Sequence, residues 1–468
     1  MKLIKSALLG SAAALAASAS VQAADLPSMK SAPVEYVRVC DVYGSGFFYI
    51  PGTQTCLKVG GYVRVDYDYR PARRDTATAD GGTEPIDSAT GRGANFTRTG
   101  FYNRAAIELD ARTQTAWGTV QTFMRLRQES GNGFMTRLGN GTGPSLEAAY
   151  IRFAGFTFGQ AAHPFAFMSG WAYNTHYWTG WPNGIRQLAY TATFGGGFSA
   201  TLALTDSHSY NGVSTAGANP AGGAAPGNAG VVASPANLTN NGVVAIGALR
   251  LDQAWGSAQV MGAVQQGGNV AGGFTAAQDV DPNSGNDRNG YAIGAGVAIN
   301  LPMIAAGDRF EMTAVYHNRL INLVSDGTIN TPSAGAYGLS PMGGPGFNFA
   351  AGSGWQVGAQ FRHYWTPTVR SQLYASYVSH RSNQLAVAAN AGNTIVGTAR
   401  GNAFSLGHGL IWSPVAGFDM GLELTYLRAS WNQAAANSGY GSATVTPDLT
   451  SGVNVSNFIG KVRVQRNF

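Results

Sequence analysis

From Leu57 to Arg70 the chain alternates without a break. Val59, Gly61, Val63, Val65, Tyr67 and Tyr69 fall on one side of an extended backbone, and Lys58, Tyr62, Arg64, Asp66, Asp68 and Arg70 fall on the other. Successive side chains of a strand point to opposite faces, so this stretch has one largely apolar face and one polar, charged face. It outruns the roughly 3–10 residues usual for strands of soluble proteins. The pattern fits a strand with lipid on one side and water on the other. A second span repeats it: Phe101, Ala105, Ile107, Leu109 and Ala111 oppose Arg104, Glu108, Asp110 and Arg112. After a turn at Thr113 to Gly118, Val120, Thr122, Met124 and Leu126 oppose Gln121, Arg125 and Arg127.

The rest of the chain parses into paired spans. They are 147–153 with 156–159, 186–194 with 198–206, 242–252 with 257–266, 289–301 with 309–321, 354–364 with 369–381, and 401–412 with 418–430. The span 457–468 closes the series. The tally predicts an all-β fold, a transmembrane antiparallel β-barrel of about 16 strands, with short periplasmic turns and long extracellular loops. Closure follows from the solvent, because hydrocarbon offers an unpaired backbone N–H or C=O no partner. About 16 strands leave an aqueous channel, whereas about 8 are filled by side chains. Tyr67, Tyr69, Phe101, Trp117, Trp255, Trp355, Trp365, Trp412 and Tyr426 recur near predicted strand ends, where amphipathic rings meet both lipid and water.

Composition narrows the alternatives. No stretch offers 18 apolar residues free of charge, so helical spanning is excluded. Charged residues make up only 12% of the chain, against about 25% in soluble domains. Lys2 and Lys5, the apolar run Ala7 to Ala17, and the small-x-small pattern Val21-Gln22-Ala23 predict a signal peptide over residues 1–23. The net charge of +6, about +4 without Lys2 and Lys5, comes with no basic run and gives no nucleic-acid partner. Residues 24–56 form a separate N-terminal segment ahead of a barrel over 57–468. Cys40 and Cys56 within it are expected to form a disulfide in the oxidising periplasm. The segment's place is left open: periplasm, barrel rim or lumen. No His or other Cys stands near that pair to complete a metal site, and no cofactor is expected. Neither G-x-S-x-G nor H-E-x-x-H occurs, so an enzyme is not expected.

Four stretches carry a family resemblance: Val39 to Tyr67 (VCDVYGSGFFYIPGTQTCLKVGGYVRVDY), Ala149 to Gln160 (AYIRFAGFTFGQ), Leu410 to Leu427 (LIWSPVAGFDMGLELTYL) and the terminal KVRVQRNF. They resemble the porins of alphaproteobacteria. The resemblance implies a 16-stranded homotrimeric general porin of the Gram-negative outer membrane, with its third long loop folded into the pore. Phe468, with Phe458, Val462 and Val464 on its face, resembles the signal read by the barrel-assembly machinery. Arg466 departs from the apolar residue common on that face and is expected to snorkel.

Such a channel needs no catalytic group, because width and lining charge set what passes. The expected pore-lining residues are Arg64, Arg104, Glu108, Asp110, Arg112, Arg125, Arg127, Arg152, Arg362, Arg370, Lys461 and Arg463. Most are expected to pair across strands, with Arg125 and Arg127 standing out as arginines without acidic partners. The third long loop, about 160–185, contains no Asp or Glu but carries His163, Trp171, Tyr173, His176, Tyr177, Trp178 and Trp181 as constriction residues. A nearly unselective or weakly anion-preferring pore for small hydrophilic solutes follows, embedded in outer-membrane lipid and lipopolysaccharide. The loop aromatics leave a saccharide-selective channel as an alternative. A surface adhesin or structural barrel, working through its long loops, is the other.

Overall fold

The computed structural model describes residues 38–69, 99–132, 144–173, 184–206, 243–265, 289–318, 320, 353–382, 399–431 and 453–468. The predicted signal peptide 1–23 lies outside the described residues. The chain divides into two compact units, residues 1–56 and 57–468.

In the first unit a short strand, β1 (Phe48–Tyr49), and a 3-10 turn at Asp41–Tyr43 surround the Cys40–Cys56 disulfide. Cys40, Phe47 and Cys56 are buried against Tyr43 and Tyr49. The expected disulfide is present, with Cα atoms 6.0 Å apart.

Sixteen longer strands follow among the described residues. They are β2 (Thr55–Tyr69), β3 (Thr99–Thr115), β4 (Gly118–Gly131), β5 (Ser145–Phe153), β6 (Phe156–Ala162), β7 (Gly184–Gly195), β8 (Phe198–Asp206) and β9 (Val243–Gln253). The series continues with β10 (Gly256–Gln265), β11 (Gly290–Asn300), β12 (Arg309–Asn318), β13 (Ser353–Thr366), β14 (Val369–Ser382), β15 (Ala399–Val415), β16 (Phe418–Trp431) and β17 (Val453–Asn467). Each pairs with its sequence neighbour. The ring closes where β17 lies antiparallel to β2, from Gly460 opposite Tyr69 to Asn467 opposite Tyr62. Closure removes both edges, which is what a sheet in hydrocarbon requires. The predicted strand count holds. Some ends move: β17 begins four residues before the predicted Asn457, and β15 overruns its predicted span at both ends.

Seven connections are short and eight are long, in strict alternation, so one rim carries tight turns and the other carries loops. Ala154-Gly155 joins β5 to β6 with φ of 49° and 85°. Both central residues are left-handed, as a type I′ hairpin requires. Glycine is needed at 155 because its φ is positive and a Cβ there would lie 2.8 Å from the Thr191 carbonyl oxygen.

Alternation divides the wall. Val63, Val65, Tyr67, Ile107, Leu202, Leu249, Ile293, Leu422 and Leu424 stand exposed on the outer face. Aromatics form two belts there. Trp117, Trp255, Trp365 and Trp412 lie by the short turns, and Tyr67, Tyr69, Phe101, Trp355 and Tyr426 lie towards the loops. Neighbouring rings touch across strands: Tyr67 with Phe101 at 4.8 Å, Phe156 with Tyr190 at 4.7 Å, and Tyr426 with Phe458 at 4.9 Å between centroids. Arg466, the charged residue in this apolar series, turns its guanidinium to the Ala416 carbonyl in the β15–β16 turn. Leu202 is 61% exposed at the middle of β8. Leu202→Arg is expected to cost about 2–4 kcal/mol in urea unfolding from lipid vesicles, the usual penalty for a cation in the bilayer centre. A loss below about 0.5 kcal/mol, typical of a neutral surface change, would contradict a lipid-facing outer wall.

Candidate functional site

The inner face of β2 to β5 carries the charges that the opposite face excludes. Arg104 Nη2 lies 2.6 Å from Glu129 Oε1, and Arg125 Nε lies 2.7 Å from Glu108. Arg127 reaches Glu147 at 3.0 Å and Glu129 at 3.4 Å. The expectation that Arg125 and Arg127 lack acidic partners is therefore corrected. Glu108 and Glu147 come from the neighbouring strands, while Glu129 stands two residues beyond Arg127 on the same face of β4. Arg112 is bidentate on Asp110, at 3.0 and 2.7 Å. At the closure seam Arg463 clasps Asp66 at 2.7 Å on both nitrogens, and Lys461 lies between Asp66 (3.3 Å) and Asp68 (3.2 Å). Arg370 pairs with Asp419 at 2.9 Å. Three arginines differ. Among the described residues, Arg64, Arg152 and Arg362 have no carboxylate within 4.0 Å.

What those three have instead are aromatic rings. The Arg64 guanidinium carbon lies 5.1 Å from the Tyr62 centroid, Arg152 lies 4.5 Å from Tyr150, and Arg362 lies 4.4 Å from Trp171. Arg104 over Tyr102 (5.5 Å) and Arg125 over Phe123 (5.8 Å) extend the series. Four successive strands thus repeat aromatic-x-Arg: Tyr62/Arg64, Tyr102/Arg104, Phe123/Arg125 and Tyr150/Arg152. Spacing by two puts each pair on one face. The repeat is legible in the sequence, and a search for charge pairs alone passes over it.

The third long connection supplies the other boundary. Its described part, through Tyr173, runs along the inside of the ring and is bound at successive strands. Gln259 of β10 donates to the Pro164 carbonyl at 2.8 Å. Phe165 is fully buried, and Phe167 packs beside it, against an apolar inner face that includes Ile185, Ala203, Val244, Ile246, Met261 and Val315. Burying a Phe side chain contributes about 1.5–3 kcal/mol. Gly296 of β11 leaves the room that Phe167 fills, since a Cβ there would lie 2.4 Å from the ring. Glu311 of β12 accepts from the Ser169 amide (2.8 Å) and hydroxyl (3.2 Å), and Gln360 of β13 donates to the same carboxylate and to the Ser169 carbonyl. Glu423 of β16 accepts from the Tyr173 amide at 2.6 Å. The Tyr173 ring lies under Arg463, at 4.4 Å, and fits because position 421 is glycine. Burial pushes the Tyr173 phenol up to about 12, so it stays neutral.

The loop's lack of acid is thus answered by the wall, whose carboxylates are taken up by loop amides. Of the predicted constriction residues, His163 is buried, and Trp171 and Tyr173 sit against wall arginines. His176, Tyr177, Trp178 and Trp181 lie outside the described residues. Glu311 and Glu423 are readable from alternation as inward-facing acids, but their role as loop anchors, and Gln259 and Gln360 altogether, escape sequence reading, because each meets a residue at least 95 positions away.

Comparison with known proteins decides the family. A model of the porin subfamily matches residues 25–453. The chain belongs to that porin subfamily. Porin Omp2b of Brucella canis is 38% identical over 210 residues, covering 43% of this chain and 53% of the relative. Porin Omp2b of Brucella melitensis is 38% identical over 215 residues with the same coverage. The porin chain thus spans about half the length of the curated relatives it matches. In fold it is similar to the outer membrane channel DcaP of Acinetobacter baumannii. That likeness has a TM-score of 0.55 and 14% identity, and covers 90% of this porin and 99% of that chain. The porin is an outer-membrane protein.

Glu311→Ala removes the acceptor for the Ser169 amide and hydroxyl. Each hydrogen bond to a charged group contributes about 1.5–3 kcal/mol, so hydrogen exchange at the Ser169 amide is expected to speed up by at least about tenfold. Unchanged exchange there would mean that the carboxylate does not hold the loop.

Proposed function

We propose that the chain forms a water-filled pore for passive diffusion of small hydrophilic solutes and ions across the outer membrane, working as a homotrimer and without a catalytic step. The observation that carries it is a closed ring of sixteen strands whose inner face is charged and whose third long loop is pinned to one side of the interior. A ring of that size leaves room for water once side chains are accommodated. The described part of the loop, bound to the inner wall, narrows this space.

Selectivity follows from the charge balance. Most inner charges are neutralised at contact distance, which weakens their field on a passing ion. Arg64, Arg152 and Arg362 supply the remaining positive charge, which supports a weak preference for anions over cations. The described loop aromatics face wall side chains rather than open space, which favours pinning over sugar stacking. Lipopolysaccharide and lipid are the expected surroundings of the outer wall. Phe468 beside outward-facing Phe458, Val462 and Val464 is the expected assembly signal.

Planar-bilayer recording of the refolded chain tests this function. Conductance is expected in steps of three, with a reversal potential in a KCl gradient of the sign set by chloride. Arg362→Gln is expected to move that potential towards the unselective value. Clear cation preference, or no conductance, would overturn the proposal.

A further inference from the structure

Arg152 stands apart from the other inner arginines. It is exposed on the inner face, two residues before the Ala154-Gly155 turn, whereas Arg64 and Arg362 are half-buried. Arg64 spends its Nε on Gln465, at 2.8 Å, and Arg362 gives one Nη to the Gly307 carbonyl. Arg152, among the described residues, touches only the Tyr150 ring, 4.5 Å below its guanidinium carbon. Tyr150 is in turn stacked on Phe123 of the next strand, centroids 5.2 Å apart and planes 21° from parallel. Asp110, on β3 beyond β4, does not compensate it. Both its oxygens are taken by Arg112 and by Gln121, at 2.7–3.1 Å. The result is an exposed guanidinium beside a two-ring stack, with no carboxylate partner among the described residues.

We infer that Arg152, Tyr150 and Phe123 form a binding station for small aromatic carboxylates on the inner wall. The inference rests on the channel function proposed above and names the solute class that lingers there. A carboxylate matches the guanidinium fork with two parallel hydrogen bonds. A flat ring attached to it extends the stack over the guanidinium, since Phe123 already has Tyr150 and Arg125 beside it. The Tyr150 ring beside the guanidinium lowers the rotamer freedom that Arg152 must give up on binding. An aliphatic carboxylate satisfies the fork and leaves the rings unused, and a neutral sugar leaves the charge unanswered.

The test uses the full chain in planar bilayers with KCl on both sides and benzoate added to one. Benzoate is expected to reduce the current saturably. Cyclohexanecarboxylate, with the same charge and no flat ring, is expected to need about tenfold more for half-block, the scale of a lost stacking contact. R152Q is expected to raise the half-blocking benzoate concentration by at least about tenfold. Y150L keeps the charge and is expected to erase the difference between the two acids. R250Q, the same loss of charge on β9, is expected to leave benzoate block unchanged. Equal block by both acids, benzoate block indifferent to R152Q, or no block in an open channel would overturn the station and leave the channel function standing. Saturation-transfer NMR of benzoate with the detergent-solubilised chain separates the reverse case. Binding lost in R152Q by a barrel that does not conduct would sink the channel function and keep the station, and absence of both would sink both.

Discussion

A backbone amide in hydrocarbon has no water to turn to, and nearly every other feature of this chain is subordinate to that fact. Sixteen strands satisfy one another in sequence, and the last, β17, must then find β2. The seam is the place where closure is paired over long sequence distance, and it is held by more than backbone. Asp66 and Asp68 from β2 interlock with Lys461 and Arg463 from β17, all buried. Removing one partner from such a cluster leaves an uncompensated buried charge, a costlier outcome than never having built the pair. The ion cluster therefore fixes which strands meet and in which register, as well as adding attraction.

Once the ring is closed, its interior becomes a second folding problem. The third loop cannot form a sheet with the wall, so its amides need individual acceptors. Glu311 and Glu423 supply two of them, and Gln259 and Gln360 bond two of its carbonyls. Phe165 and Phe167 add an apolar contact, so the inner face of β7 to β12 is partly a dry core rather than a channel lining. Polar anchors and apolar core act on the same short stretch and hold it against the inner wall.

Much of the barrel was legible in the residue order. Period-two alternation gave the strands, short Gly-rich turns against long loops gave the two rims, and outward aromatics near strand ends gave the belts. The pairing of Cys40 with Cys56 was also accessible, since a lone pair of cysteines in an oxidising compartment has few alternatives. Charge partners were not. Arg125 and Arg127 read as unopposed, yet Glu108 and Glu147 lie beside them across two strand pairs, and Glu129, two residues along β4, also reaches Arg127. Alternation marks Glu311 and Glu423 as inward, but their pairing with the loop was not legible, since Ser169 and Glu311 are 142 positions apart.

What the sequence by itself determined is which side of each strand meets lipid and which meets water. That follows because side chains alternate on a strand whatever the strand's neighbours. Only the tertiary structure decided which charges cancel and which remain, because cancellation depends on register and on the path of one loop. Arg152 shows the difference: alternation marks it as inward and spacing by two puts it beside Tyr150, while the Phe123 ring joins Tyr150 only once β4 and β5 are side by side.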